Sequence, residues 1–245
     1  MRDAATLLLV RDAPTGLEVF MVERPGAADF GGMHVFPGGK VDVADASVEP
    51  RCVGLSDAVA SKRLGIASGG LAFWSAAIRE AFEEAGVLLA YRGERLVDLS
   101  DPATRDRFAD LRDAVHKGDL SIVDLCRREE LRLATDRVHY FSHWITPLGP
   151  PRRYDTRFFL AHMPENQETA HHERELEDGL WVRPRDALGH RETERWMMIF
   201  PTLTTLQSLA RYDRVDALVG DVRAWRHLPE VTPERHRQGM QYSDR

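Results

Sequence analysis

The stretch that decides the fold runs from Leu71 to Leu89 and reads LAFWSAAIREAFEEAGVLL. Its apolar residues recur at steps of three and four, as on one face of an α-helix. They are Trp74, Ala77, Ile78, Ala81, Phe82 and Ala85. Gly86 follows, a residue type that readily adopts the left-handed conformation at a helix end. The pattern predicts a long amphipathic helix over these residues, the clearest in the chain.

Three carboxylates lie on the opposite side of this helix. Glu80 is three residues from Glu83 and four from Glu84, so all three crowd about one turn of its surface. Like charges at this spacing destabilise an isolated helix. A hard divalent cation would neutralise them, because Mg²⁺ takes carboxylate oxygens and keeps waters for substrate phosphates. The alternative is an acidic helix face exposed to solvent, and the residues around the helix help to decide between the two interpretations.

Glycines upstream of the helix extend the pattern. Gly38 and Gly39 follow Val35-Phe36-Pro37, and the helix then supplies Arg79-Glu80-Ala81-Phe82-Glu83-Glu84-Ala85-Gly86-Val87. Together they resemble the Nudix box, which is glycine, five residues, Glu, seven residues and then REUxEExGU, with U aliphatic. Asp45 stands where the box has its first Glu. From Asp45 to Arg79 there are 33 intervening residues, so the box contains an insertion of 26 residues.

The interrupted box is similar to a branch of the Nudix hydrolase superfamily that includes peroxisomal coenzyme A diphosphatases and bacterial relatives. The resemblance implies an α+β fold, a Nudix-type α/β/α sandwich with a mixed β-sheet, here with helical insertions. It also implies hydrolysis of the diphosphate linkage of a nucleoside diphosphate derivative. Coenzyme A or its esters are the first candidates, and ADP-ribose or NADH are alternatives. A non-catalytic Nudix-fold module that senses a nucleotide is the alternative of another class.

The same resemblance implies roles for the box residues. Glu80, Glu83 and Glu84 would bind Mg²⁺ or Mn²⁺, with the carbonyl of Gly39 completing the site. Arg79 would form a salt bridge with a box carboxylate and orient it, as metal ligands require. Glu80 and Arg79 are therefore expected to be catalytic residues as well.

Two groups outside the box are candidates for the remaining roles. Glu175 is the first choice for the general base and Glu177 the second, because family members often take this residue from a loop outside the box. A surface acidic loop is the alternative. Arg153, Asp155 and Arg157 alternate on a predicted strand, so they share one face and could bind a phosphate group of the substrate. Simple ion pairing is the alternative.

The rest of the chain predicts a single domain over residues 1–225, followed by a polar, poorly ordered tail over residues 226–245. The insertions, about 46–72 and 98–135, are where substrate selectivity or dimer contacts would be added. The second of them carries helical patterns without a strand signal. A closing helical region is expected from Arg195 to Val219. Strands are expected at Thr6–Val10 and Leu17–Glu23, as an antiparallel pair, and at Val138–Ile145, Arg157–His162 and Gly179–Val182.

Composition limits the partners. The 245 residues carry a net charge of −6, which argues against a nucleic-acid partner. The apolar run near the start, Leu7 to Val10, is too short for a signal peptide core or a membrane span. Cys52 and Cys126 each lack a CxxC partner, which favours a reducing compartment. We expect a cytoplasmic enzyme with a small-molecule nucleotide substrate and no membrane partner, and a homodimer is an open expectation.

Overall fold

The computed structural model describes residues 1–24, 32–149, 152–169, 179–225 and 241–242. The strands in these residues are β1 (Arg2–Ala13), β2 (Gly16–Glu23), β3 (His34–Val35), β4 (Gly38–Lys40), β5 (Ala90–Arg92), β6 (Arg95–Leu96), β7 (Leu131–Leu133), β8 (His139–Ile145), β9 (Tyr154–His162), β10 (Gly179–Val182) and β11 (Gln241–Tyr242). The helices are α1 (Asp57–Leu64), α2 (Gly70–Ala85), α3 (Pro102–His116), α4 (Ile122–Arg128), α5 (Pro184–Glu192), α6 (Phe200–Leu209) and α7 (Val215–Arg223).

The main sheet is mixed, as predicted. Its order is β10-β2-β1-β9-β8-β11, with β3 added to β2 and β4 added to β1. The central strands β1 and β9 are parallel, with Arg2 opposite Tyr154 and Val10 opposite His162. The predicted antiparallel pair of β1 and β2 is present, and β8 and β9 are also antiparallel. This arrangement places the long strands β1 and β9 in the middle of the sheet.

Helices cover both faces of the main sheet. Because side chains alternate along a strand, β1 and β9 present odd-numbered residues to one face and even-numbered residues to the other. Ala5, Leu7 and Phe159 pack with α2 in one core cluster. Leu8 and Phe158 pack in a second cluster with apolar residues of α6 and α7. The fold is therefore the predicted α/β/α sandwich.

Helix α2 ends earlier than the sequence pattern suggested. The predicted helix extended to Leu89, whereas α2 ends at Ala85. Gly86 has a φ of 70°, in the left-handed region, and its N–H bonds to the carbonyl of Phe82. The three apolar residues after it, Val87 to Leu89, are buried outside the helix and lead into β5. Their apolar character continues the helical pattern, but the backbone turns at the glycine.

The predicted insertion at 98–135 forms α3, α4 and a strand that the sequence pattern did not indicate. This strand, β7, pairs with β5 in a separate sheet of order β6-β5-β7. Three residues are too few for an alternating pattern to be recognised. Of the predicted tail at 226–245, only β11 is described, paired with β8. None of the helices in the described part of the chain is both long and apolar enough to cross a bilayer.

Candidate active site

The carboxylates of α2 lie where this helix passes β4. Glu80 is buried, with 8% of its surface exposed, and Glu83 and Glu84 are partly buried. Burial and the neighbouring Glu83 carboxylate raise the pKa of Glu80 to about 7, although Arg79 opposes the shift. An exposed acidic helix face would leave these groups in water. The structure instead crowds the three side chains together, and it places Glu80 where burial disfavours the charged form.

Arg79 joins two of these carboxylates to a third, outside the helix. Its Nη1 donates to Glu80 Oε1 and Glu83 Oε1, each at 2.8 Å. Its Nη2 lies 3.2 Å from Asp45 Oδ2 and donates to the carbonyl of Lys40 at 2.6 Å. Burial disfavours the charge of the guanidinium, but these carboxylates outweigh it and raise the pKa of Arg79. We call Arg79, Asp45, Glu80 and Glu83 the Arg79 cluster.

Asp45 completes the Arg79 cluster across the insertion. It is fully buried, and it accepts hydrogen bonds from Ser75 Oγ at 3.1 Å and from the N–H of Asp42 at 2.9 Å. Asp45 thus meets Arg79 although 33 residues separate them in sequence. The two halves of the box, which the insertion separates in sequence, therefore meet in space.

The glycine pair brings β4 against the carboxylates. A Cβ atom at Gly39 would lie 2.3 Å from Glu80 Oε1, closer than any side chain tolerates. The N–H of Gly38 donates to Glu84 Oε2 at 2.8 Å. Arg24, directly after β2, places its Nη2 atom 3.2 Å from Glu84 Oε1. Only a glycine at position 39 permits β4 to lie this close to Glu80, and the backbone of β4 thereby becomes part of the site.

The second insertion also contacts the site. Arg112 of α3 is buried, and its Nε donates to the carbonyl of Glu83 at 2.8 Å. His116, the last residue of α3, places Nδ1 3.5 Å from Glu83 Oε2. Sequence reasoning missed both residues. The sequence of a charge-rich helix does not indicate which element the helix packs against, so neither contact could be predicted.

A cavity of about 490 Å³ opens beside the carboxylates. Glu80 reaches it next to Gly39, and Arg24 and Lys40 add two cationic side chains to the wall. The remaining wall is mostly apolar and aromatic. It is lined by Val35, Phe36, Trp144, Ile145, Pro147, Tyr154, Phe158, Ile199 and Pro201. Trp144 is buried and also lines this cavity.

The three residues predicted to bind substrate do not line the cavity. Tyr154 and Phe158, at even-numbered positions of β9, face it, whereas Asp155 and Arg157 point to the α2 side of the sheet. The register of β9 decides this, since a strand alternates its faces. Arg153 donates from Nε to the carbonyl of Thr146 at 3.0 Å. The trio therefore lies outside the lining of this cavity.

Asp155 and Arg157 form a buried ion pair that His143 completes. Arg157 Nη1 donates to Asp155 Oδ1, and His143 Nε2 lies 2.5 Å from the same oxygen. Burial alone would raise the pKa of Asp155, but His143 and Arg157 outweigh it and hold the pKa below its ordinary value. We call these three residues the Arg157 cluster. It matches the alternative of structural ion pairing.

Glu175 and Glu177, the candidates for the general base, lie outside the described residues. Among the described residues, no three His, Cys, Asp or Glu side chains converge as a metal site. Arg79 bonds Glu80 and Glu83, and Arg24 pairs with Glu84. The chemistry nevertheless fits a hard cation: three carboxylates crowd together, and the glycine at position 39 leaves the Glu80 oxygens open to the cavity.

Comparison with known proteins gives one consistent result. The NUDT19 Nudix domain family matches residues 58–209. The chain is 28% identical to the acyl-coenzyme A diphosphatase NUDT19 of Gallus gallus over 265 residues, which cover 89% of this chain and 70% of that protein. The protein of the same name from Homo sapiens is 29% identical over 209 residues, covering 70% and 55%. The chain thus spans about half to seven tenths of the length of these relatives.

A solved structure supports the same assignment. The crystal structure of a Nudix hydrolase from Alicyclobacillus acidocaldarius is 28% identical, with a TM-score of 0.70, over 90% of this chain and 96% of that one. The family match covers more than half of the chain and includes all of α2. The box residues, interrupted in sequence, meet around one buried arginine. The chain therefore belongs to the NUDT19 Nudix domain family and is a Nudix-type hydrolase.

Proposed function

We propose that this chain is a divalent-metal-dependent diphosphatase that cleaves the diphosphate linkage of coenzyme A or its esters. The observation that carries the proposal is the position of Glu80, which lies among three crowded carboxylates and also lines the cavity. A substrate in this cavity would have its diphosphate beside the box. The relatives named as acyl-coenzyme A diphosphatases support the choice of coenzyme A.

Glu80, Glu83 and Glu84, with the carbonyl of Gly39, would hold Mg²⁺ or Mn²⁺. Such an ion makes a water molecule more acidic and neutralises charge on the diphosphate. The chain's part is to orient the ligands. Arg79 holds Glu80 and Glu83 by charge-assisted hydrogen bonds, and the N–H of Gly38 holds Glu84. Glu175, or else Glu177, would accept a proton from the attacking water.

The cavity walls favour a nucleotide with a large organic part. Arg24 and Lys40 provide positive charge on the side of the box, which suits a diphosphate. Trp144, Phe158 and Ile199 provide an apolar surface in the same cavity, which suits a base or an acyl-pantetheine chain. We therefore assign substrate binding to these cavity residues in place of Arg153, Asp155 and Arg157. A homodimer and a cytoplasmic location stay predictions from the sequence.

The test is a product-resolved assay with the full chain and Mg²⁺ or Mn²⁺. Coenzyme A, an acyl-coenzyme A, ADP-ribose and NADH are each incubated, and products are identified by mass spectrometry. We expect 3′,5′-ADP with phosphopantetheine or its acyl form, and no products in chelator. The matched control is Glu84→Gln, which keeps the shape of the side chain and removes its charge. Cleavage of another dinucleotide without cleavage of coenzyme A would contradict the substrate, and cleavage of none would contradict the activity.

A further inference from the structure

Arg24 places a positive charge beside Glu84, one of the three carboxylates of α2. Its Nη2 atom is 3.2 Å from Glu84 Oε1 and also donates to the carbonyl of Gly38. The same side chain lines the cavity beside Glu80 and Gly39. A guanidinium in contact with a carboxylate and a backbone carbonyl occupies oxygen atoms of the kind that a hard cation takes. Arg24 therefore contacts the donors as an ion would.

The two arginines near these carboxylates are held differently. Arg79 is 8% exposed at its side chain, is anchored by Asp45 and the carbonyl of Lys40, and does not line the cavity. Arg24 is 22% exposed at its side chain and stands on the cavity wall. An ion entering from the cavity meets Arg24, whereas Arg79 stays behind the carboxylates. Arg24 is consequently the cation that can be exchanged.

We propose that Arg24 is an internal cation that holds Glu84 while no divalent ion is bound, and that it competes with this ion for Glu84. The proposal rests on the proposed function, because it takes the α2 carboxylates as the metal site. Binding of the ion then includes release of Arg24 from Glu84. The released guanidinium remains on the wall of the cavity that receives the anionic substrate, so metal loading and substrate binding are linked through one side chain.

The test measures Mn²⁺ alone, without substrate, by electron paramagnetic resonance titration of the metal-stripped full chain. Arg24→Gln removes the competitor, so we expect its Mn²⁺ dissociation constant to be roughly ten-fold lower than that of the unmodified chain. Arg24→Lys keeps a positive charge but lacks the planar guanidinium, so we expect a Mn²⁺ dissociation constant between those of the other two proteins. The lysine variant also serves if the glutamine variant fails to fold.

Two controls separate contact from a general change in charge. Lys40 lines the same cavity, and within the described residues no ion pair joins it to Glu80, Glu83 or Glu84. We expect Lys40→Gln to change the dissociation constant by less than about three-fold. In a Glu84→Gln background, the effect of Arg24→Gln should largely disappear, since the competition passes through Glu84.

The outcomes distinguish this inference from the proposed function. If Arg24→Gln and Arg24→Lys bind Mn²⁺ no more tightly than the unmodified chain, or if Lys40→Gln tightens binding equally, the competition is refuted while the metal site stands. If the Arg24→Gln effect persists undiminished in the Glu84→Gln background, Glu84 is not the shared ligand. If the unmodified chain binds no Mn²⁺, or if neither Glu83→Gln nor Glu84→Gln weakens its binding, the proposed function fails as well.

Discussion

Two arginine–carboxylate clusters lie on the α2 side of the main sheet, and only one of them reaches the cavity. The Arg79 cluster is connected to it through Glu80, which lines the wall beside Gly39. The Arg157 cluster packs against Phe73 of α2 and has no residue in that wall. Both contain a buried arginine paired with a buried or partly buried aspartate. The pairing of charges by itself therefore does not identify a functional site.

The two clusters also differ in their balance of positive and negative groups. In the Arg79 cluster, three carboxylates share one guanidinium, and burial raises the pKa of Glu80 to about 7. In the Arg157 cluster, two potentially cationic groups face one carboxylate, and the pKa of Asp155 lies below its ordinary value in spite of burial. The first cluster therefore has more carboxylates than cationic groups, whereas the second does not. An unbalanced cluster beside a cavity is where a metal ion and an anionic substrate would add the missing interactions.

The largest effect should come from the carboxylates of α2. We expect Glu83→Gln and Glu84→Gln each to lower kcat roughly a thousand-fold, because each removes a charged metal ligand. Steady-state kinetics in excess Mg²⁺ measures this. Asp155→Asn is the matched control from the other cluster, and its kcat should stay within about two-fold. Comparable losses in all three variants would abolish the distinction between the clusters.

Arg157→Ala should lower stability and leave activity unchanged. It leaves the partly buried Asp155 without its guanidinium, so we expect a loss of about 3 kcal/mol in the free energy of unfolding. Because Arg157 does not line the cavity, kcat/KM of the folded fraction should not change. Urea unfolding and kinetics at a temperature well below the midpoint give the two values. A ten-fold fall in kcat/KM with unchanged stability would return Arg157 to the substrate site.

Asp45→Glu tests how tightly the Arg79 cluster is packed. It installs the residue that the Nudix box has at this position, but Asp45 is 0% exposed and surrounded by Arg79 and Ser75. We expect the extra methylene to cost about 2 kcal/mol of stability. Asp42→Glu is the control, since that side chain is 62% exposed on the same turn. Stabilisation by Asp45→Glu would mean that the insertion leaves room for the longer residue.

The last effect concerns the pH dependence of stability in the metal-free protein. Between pH 4.5 and about 7, folded Glu80 keeps a proton that the unfolded chain releases. Its contribution to stability is therefore complete below pH 4.5 and is lost as the pH rises through 7, at up to about 1 kcal/mol per pH unit. Glu80→Gln should remove this loss. Urea unfolding in chelator at pH 5, 6, 7 and 8 measures it, and parallel profiles for both proteins would contradict the shift.

Much of the site could be predicted because its geometry is local. Glu80, Glu83 and Glu84 share one surface of a helix whenever that helix forms, and Arg79 is their neighbour in sequence. The place of Gly39 came from the resemblance to the box. The roles of Arg24, Arg112 and His116 could not be predicted, since each comes from a different element and has no spacing in common with the box.

The sequence by itself determined α2, the main strands and the family, because helical and strand periodicity and the box motif are properties of neighbouring residues. The tertiary structure decided which face of β9 lines the cavity, since a shift of one residue in register exchanges the two faces. It also decided that Asp45 meets Arg79 across the insertion. Contacts between distant residues depend on how the elements pack, and neither periodicity nor spacing carries that information.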